Sequence, residues 1–146
     1  MLVQNYSDQT LDGMTLTLNN QSYTSPAYTL SNNNGNTTIK DSTINAYNDD
    51  SFAFDVCRYS TYPSVSVEVL GNSVINGDVE ISDSGSNAKE GFSLTLESGT
   101  MDGDIVVDAS AQNLVGDENK VTKANTFTQT APEGFEWVNN GDGTSY

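Results

Sequence analysis

The sequence contains no histidine, one cysteine, three prolines and only five basic residues against 20 acidic ones. Each shortage removes a class of function. Without His there is no His-based triad, no His metal site and no His pH switch. A single Cys excludes an intrachain disulfide framework, so nothing covalent staples the fold. A net charge of -15 leaves no basic surface, which argues against a nucleic-acid partner and disfavours contact with anionic membrane. No apolar run approaches the ~20 residues of a membrane helix, so no membrane insertion is expected. Leu, Ile, Val and Phe make up 21% of the 146 residues. That is just above the roughly 20% floor below which a strongly charged chain tends to stay disordered. The length fits one domain.

What is abundant is Asn, Ser and Thr, together 34% of the chain. They surround short runs that alternate apolar and polar residues. Met14, Leu16 and Leu18 alternate with Thr15 and Thr17, and Val65, Val67 and Val69 with Ser66 and Glu68. Val79 and Ile81, then Phe92, Leu94 and Leu96, follow the same rule, as do Phe52, Phe54 and Val56. Period-2 alternation marks strands with one wet face. A parallel sheet covered on both sides would read as continuous apolar runs instead. Between the runs stand turn formers: Asn32-Asn33-Asn34-Gly35, Gly71-Asn72, Asn76-Gly77, Ser84-Gly85-Ser86-Asn87, Ser98-Gly99 and Asp102-Gly103.

An imperfect repeat organises these pieces. Ile75-Asn76-Gly77-Asp78-Val79 matches Met101-Asp102-Gly103-Asp104-Ile105 at a displacement of 26 residues. A looser copy places Ile44 31 residues before Ile75, and Leu11-Asp12-Gly13 offers a fourth, 33 before Ile44. Periods of roughly 20–50 residues point to solenoids. The expected fold is therefore all-β, a right-handed parallel β-helix of four to five irregular coils, with an antiparallel β-sandwich as the alternative. Coils are expected over residues 1–112. Residues 113–146 are expected to form a loop and a C-terminal capping hairpin, with Phe135 and Trp137 lying across the end of the stack.

The tail Ala131-Pro132-Glu133-Gly134-Phe135-Glu136-Trp137-Val138-Asn139-Asn140-Gly141-Asp142-Gly143-Thr144-Ser145 resembles the closing segment of repetitive modules in large surface proteins of gut bacteria. Residues 36–45 and 72–79 resemble the parallel β-helix repeats of such proteins and of phage fibre or head-decoration proteins. The resemblance implies a non-enzymatic extracellular, cell-surface or virion module without a cofactor. By the same analogy it implies a homo-oligomer, with fibres of this type often trimeric. The first ten residues have no basic region and no long apolar core, so no secretory signal is read there. The expectation is an excised piece of a surface protein or a virion protein made in a cytoplasm.

Parallel β-helices also carry polysaccharide-cleaving enzymes, whose hydrolases need paired carboxylates. Asp49-Asp50 and Asp117-Glu118 are the adjacent pairs, and a solvated loop is the expected setting of the first. The Gly-His-Gly and Arg-x-Lys motifs of galacturonan-cleaving families are absent. Arg58, the only Arg, is expected to pair with Asp55 or Glu68, and Cys57 to be a packed thiol. Asp78 over Asp104, by the 26-residue register, is the weak candidate for calcium. No resident metal is predicted. The aromatic stretch suggests a glycan-binding face of Tyr59, Tyr62 and Arg58, with Phe52 and Phe54 in the core. A structural or adhesive module is the leading expectation, with a glycan or protein surface as its partner. A carbohydrate-binding module is the alternative and a polysaccharide-cleaving enzyme the second.

Overall fold

The computed structural model describes residues 1–19, 27–85, 91–115, 120–138 and 144–145. The expected turn at Ser86-Asn87, the Asp117-Glu118 pair and the expected hairpin turn at residues 139–143 lie outside these residues. Strands follow one another in threes. The first turn holds β1 (Val3–Asn5), β2 (Gln9–Asp12) and β3 (Thr15–Thr17). The second holds β4 (Tyr28–Asn32), β5 (Gly35–Lys40) and β6 (Thr43–Asn45). The third holds β7 (Phe52–Ser60), β8 (Val65–Leu70) and β9 (Val74–Asn76). The fourth holds β10 (Asp78–Gly85), β11 (Phe92–Leu96) and β12 (Thr100–Met101). A partial turn adds β13 (Ile105–Val107) and β14 (Val121–Lys123), followed by β15 (Trp137–Val138) and β16 (Thr144–Ser145).

Each strand from β1 to β14 pairs in parallel with its counterpart one turn away, which makes the molecule a β-solenoid of about four turns. Sheet 1 runs β1-β4-β7-β10-β13, sheet 3 runs β12-β9-β6-β3, and sheet 2 carries β2, β5, β8, β11 and β14 in parallel. The alternation seen in the sequence becomes vertical columns inside the coil. Leu30, Phe54, Val79 and Ile105 stack in sheet 1. Leu11, Ile39, Val69 and Leu96 stack in sheet 2, and Leu16, Ile44, Ile75 and Met101 in sheet 3. Most of these side chains are fully buried. Burying each contributes roughly 1.5–3 kcal/mol, so a small apolar inventory suffices when every residue of it faces inward. The 26- and 31-residue displacements are the true registers of sheet 3. The fourth copy is not: Leu16, not Leu11, lies beneath Ile44, and Leu11 lies beneath Ile39. Corners of different length defeat a fixed spacing.

The acidic residues of the corners hold consecutive turns together. Asp8 Oδ1 accepts the Asn36 amide at 2.8 Å, Asp41 Oδ1 the Asn72 amide at 2.8 Å, and Asp78 Oδ1 the Asp104 amide at 2.8 Å. In each case the amide follows a glycine: Gly35, Gly71 and Gly103. The glycine is needed because the turns touch there. A Cβ on Gly35, whose φ is +78°, would lie 2.6 Å from the Ser7 carbonyl carbon, and one on Gly103 would overlap the Gly77 carbonyl. The third corner is clasped both ways, since the Gly77 amide also donates to Asp102 Oδ1 at 2.9 Å. Outer ladders add to this, with Asn76 Nδ2 donating to Asn45 Oδ1 and Asn45 Nδ2 to Thr17 Oγ1.

The parallel stack continues past residue 112, because β14 lies on β11 with Leu94 facing Val121. Beyond it the chain reverses: β16 pairs antiparallel with β14 and with β15, so the hairpin covers the last edge of sheet 2. Lys123 takes the column position above Leu96. Its Nζ donates to the Phe127 carbonyl at 2.8 Å and lies 4.8 Å from the Trp137 ring centre. Phe135 and Trp137 pack on the core as expected, and Trp137 Nε1 donates to the Gln129 carbonyl at 3.0 Å. Phe52 departs from expectation. The register slips between β7 and β10 at Ala53, so Ala53 and Phe54 are both buried. Phe52 is left out of the core and stacks on Tyr28 with ring centres 5.4 Å apart.

Candidate functional site

The outer face of sheet 1 gathers most of the chemistry-bearing side chains. Asp55 sits between the inward residues Phe54 and Val56 and therefore points outward, in register with Ser31 below and Glu80 above. It is nonetheless buried. Its Oδ1 accepts the Asn32 amide at 2.6 Å and its Oδ2 the Ser31 hydroxyl at 3.0 Å. Tyr28 reaches across β7 and donates its hydroxyl to Glu80 Oε2 at 2.6 Å. Burial pushes the Asp55 carboxyl up to about 7, with the Glu80 charge adding to it and the hydrogen bonds opposing it. Burial likewise raises the Cys57 thiol, which is free and packed as expected. Burial and the Glu80 contact also raise the Tyr28 phenol.

Two carboxyls on adjacent turns, one of them raised, are the raw material of acid–base work on sugars. The geometry here directs them elsewhere. A catalytic carboxyl must reach its substrate. Asp55 is 4% exposed, and both its oxygens serve the strand below.

Arg58 has a different partner from the ones expected. It forms a two-pronged ion pair with Asp83, Nε to Oδ1 at 2.8 Å and Nη2 to Oδ2 at 2.9 Å. The two residues face each other across β7 and β10. The pair holds the Asp83 carboxyl down and the Arg58 guanidinium up. With 6% of its surface exposed, Arg58 is closed to a ligand.

Tyr59 and Tyr62 do come together on the surface, and a third ring joins them. Tyr6, from the corner between β1 and β2, lies 6.0 Å from the Tyr59 ring centre and 5.6 Å from that of Tyr62. Nothing local in the sequence links Tyr6 to the other two. The signal lies in the sheet-1 register, which carries Asn5 to Asn32 and Asn32 to Val56.

The acid-rich third corner is concave. An open cleft of about 580 Å³ there is lined in part by Asp49, Asp78 and Asp102. Asp78 and Asp104 stack as the register predicts, and the Asp78 carboxylate accepts the Asp104 amide. Among the described residues no three acidic or Cys side chains converge to hold a metal ion. Asp49 and Asp50 lie in the exposed turn before β7, where the Asp50 amide donates to Asn48 Oδ1 at 3.2 Å. Comparison with family models, with curated proteins and with solved structures found no match to this chain.

Proposed function

We propose that this chain is a non-catalytic structural and adhesive module, a stiff β-solenoid that displays a fixed outer face, as a bacterial cell-surface protein or a phage particle requires. The observation that carries the reading is where the acids are used. Asp8, Asp41, Asp55, Asp78 and Asp102 each accept a backbone amide from a neighbouring turn. Carboxylates committed to holding the coil are poorly placed to bind a metal or shuttle protons. The acidic surface suits a displayed module, since it opposes self-association and contact with anionic polymers. The test is incubation with a panel of neutral and acidic polysaccharides, following new chain ends by mass spectrometry. The expected result is none above buffer. Turnover that disappears in Asp49→Asn or Asp55→Asn would overturn the reading.

A further inference from the structure

We propose that Tyr6, Tyr59 and Tyr62 form a binding face for an uncharged oligosaccharide. The inference rests on the adhesive reading and names its ligand class. Every exposed aromatic side chain among the described residues belongs to this cluster: the three rings are 37%, 40% and 39% exposed. None of them belongs to the buried hydrophobic core. A chain this short of apolar residues has therefore left three large rings half in water, side by side, on one face.

The backbone holds them there. Tyr59 is near the end of β7, and the Tyr62 amide donates to the Tyr59 carbonyl at 3.1 Å. The turn between them depends on Ser60, whose φ is +53°, in the left-handed region that non-glycine residues rarely adopt. Tyr6 is held from its own side, where Asn34 Nδ2 donates to its carbonyl at 2.7 Å. Gln4 Nε2 donates to the Tyr6 hydroxyl at 2.6 Å. The result is aromatic surface rimmed by amides and hydroxyls. A sugar ring needs that combination, with C–H faces against the rings and hydroxyls to the polar rim.

Charge and spacing narrow the ligand. Arg58, the only guanidinium, is closed against Asp83, and the chain carries a net charge of -15, so an acidic glycan meets repulsion. Rings whose centres are 5.6 and 6.0 Å apart, inclined at 47° and 66°, touch one another.

The experiment is a glycan array probed with the full chain, followed by titration of the best ligand. Tyr6→Ala, Tyr59→Ala and Tyr62→Ala are compared with Met14→Ala as an exposed control away from the face. The expected outcome is binding to neutral glycans that is insensitive to salt. Each Tyr→Ala variant should be weaker by about tenfold, and Tyr59→Phe, which keeps the ring, by less. Circular dichroism and thermal unfolding of the same variants separate lost binding from lost fold. The proposal is overturned by the absence of neutral-glycan binding. It is overturned equally by binding unchanged in the three alanine variants, or by selectivity for acidic glycans, choline or a protein ligand. Cleavage of the bound glycan would instead overturn the non-catalytic reading and leave the face standing.

Discussion

The interior of the first two turns differs from the interior of the rest. At the corner between sheets 1 and 2, the inward positions of β1 and β4 are Asn5 and Asn32, and those of β2 and β5 are Gln9 and Thr37. The same register positions in later turns are Val56, Ile81 and Val107 on one side and Val67, Leu94 and Val121 on the other. The polar residues satisfy one another. Thr37 Oγ1 donates to Asn32 Oδ1 at 2.7 Å, Asn5 Nδ2 donates to Thr37 Oγ1 at 3.1 Å, and Asn32 Nδ2 donates to the Asp55 carbonyl at 2.9 Å. Aliphatic columns accept any neighbour of suitable volume. A connected hydrogen-bond network accepts one arrangement and is costly when broken. At this corner the upper turns thus draw their stability from volume, while the lower turns draw theirs from directional bonds that also set the alignment of strands.

Substitutions can break that contrast at either end. Leu94→Ala removes a fully buried side chain from the aliphatic region and leaves a cavity between close-packed turns. It should cost ~2–5 kcal/mol in chemical denaturation, the largest effect expected of a single truncation here. Thr37→Val keeps shape and volume but leaves Asn32, Asn5 and Gln9 short of partners inside the coil. A loss of ~1–3 kcal/mol is expected in the same measurement. A neutral or stabilising result would show that the polar corner tolerates apolar filling and would erase the distinction between the two regions.

Asp55 lies where the regions meet, and it gives a smaller, pH-dependent effect. Its carboxyl stands at about 7 in the fold against an ordinary 3.8, so the folded chain holds this proton more tightly than the unfolded chain. Its contribution is complete below the ordinary value and is lost as pH rises through about 7. Asp83, held down by Arg58, runs the other way: its contribution is present above the ordinary carboxylate range and lost on acidification. Melting temperatures of wild type and Asp55→Asn between pH 4 and pH 8, a range set by that interval, should therefore diverge. The variant is expected to lose less stability than wild type as pH rises. Parallel curves would place Asp55 in a more polar setting than the one described.

Much of this architecture is legible in the sequence because apolar alternation and corner chemistry are both local. Val79 and Ile105, or Ile75 and Met101, announce their stacking through the Gly-Asp shared by both copies of the repeat. What the local pattern hides is any polar residue that faces inward. Asn32 and Thr37 look like turn and surface chemistry until strands on three sides enclose them. Arg58 misleads for a related reason. Its nearest acid in sequence is Asp55, but the solenoid pairs it with Asp83, 25 residues on and one turn up. Tyr6 is hidden further still, brought to Tyr59 and Tyr62 across two turns. The Arg58–Asp83 pair follows the 25-residue displacement between β7 and β10, which the 26-residue repeat of the later turns misses by one position.

The central claim is that the acids of the corners serve as clasps between turns. Amide hydrogen exchange, read residue by residue by NMR, tests it directly. In Asp8→Ala, Asp41→Ala and Asp78→Ala, the account predicts that protection falls at Asn36, Asn72 and Asp104 respectively, by about tenfold or more, with the other two amides unchanged. Protection that stays the same at all three amides in all three variants would contradict it.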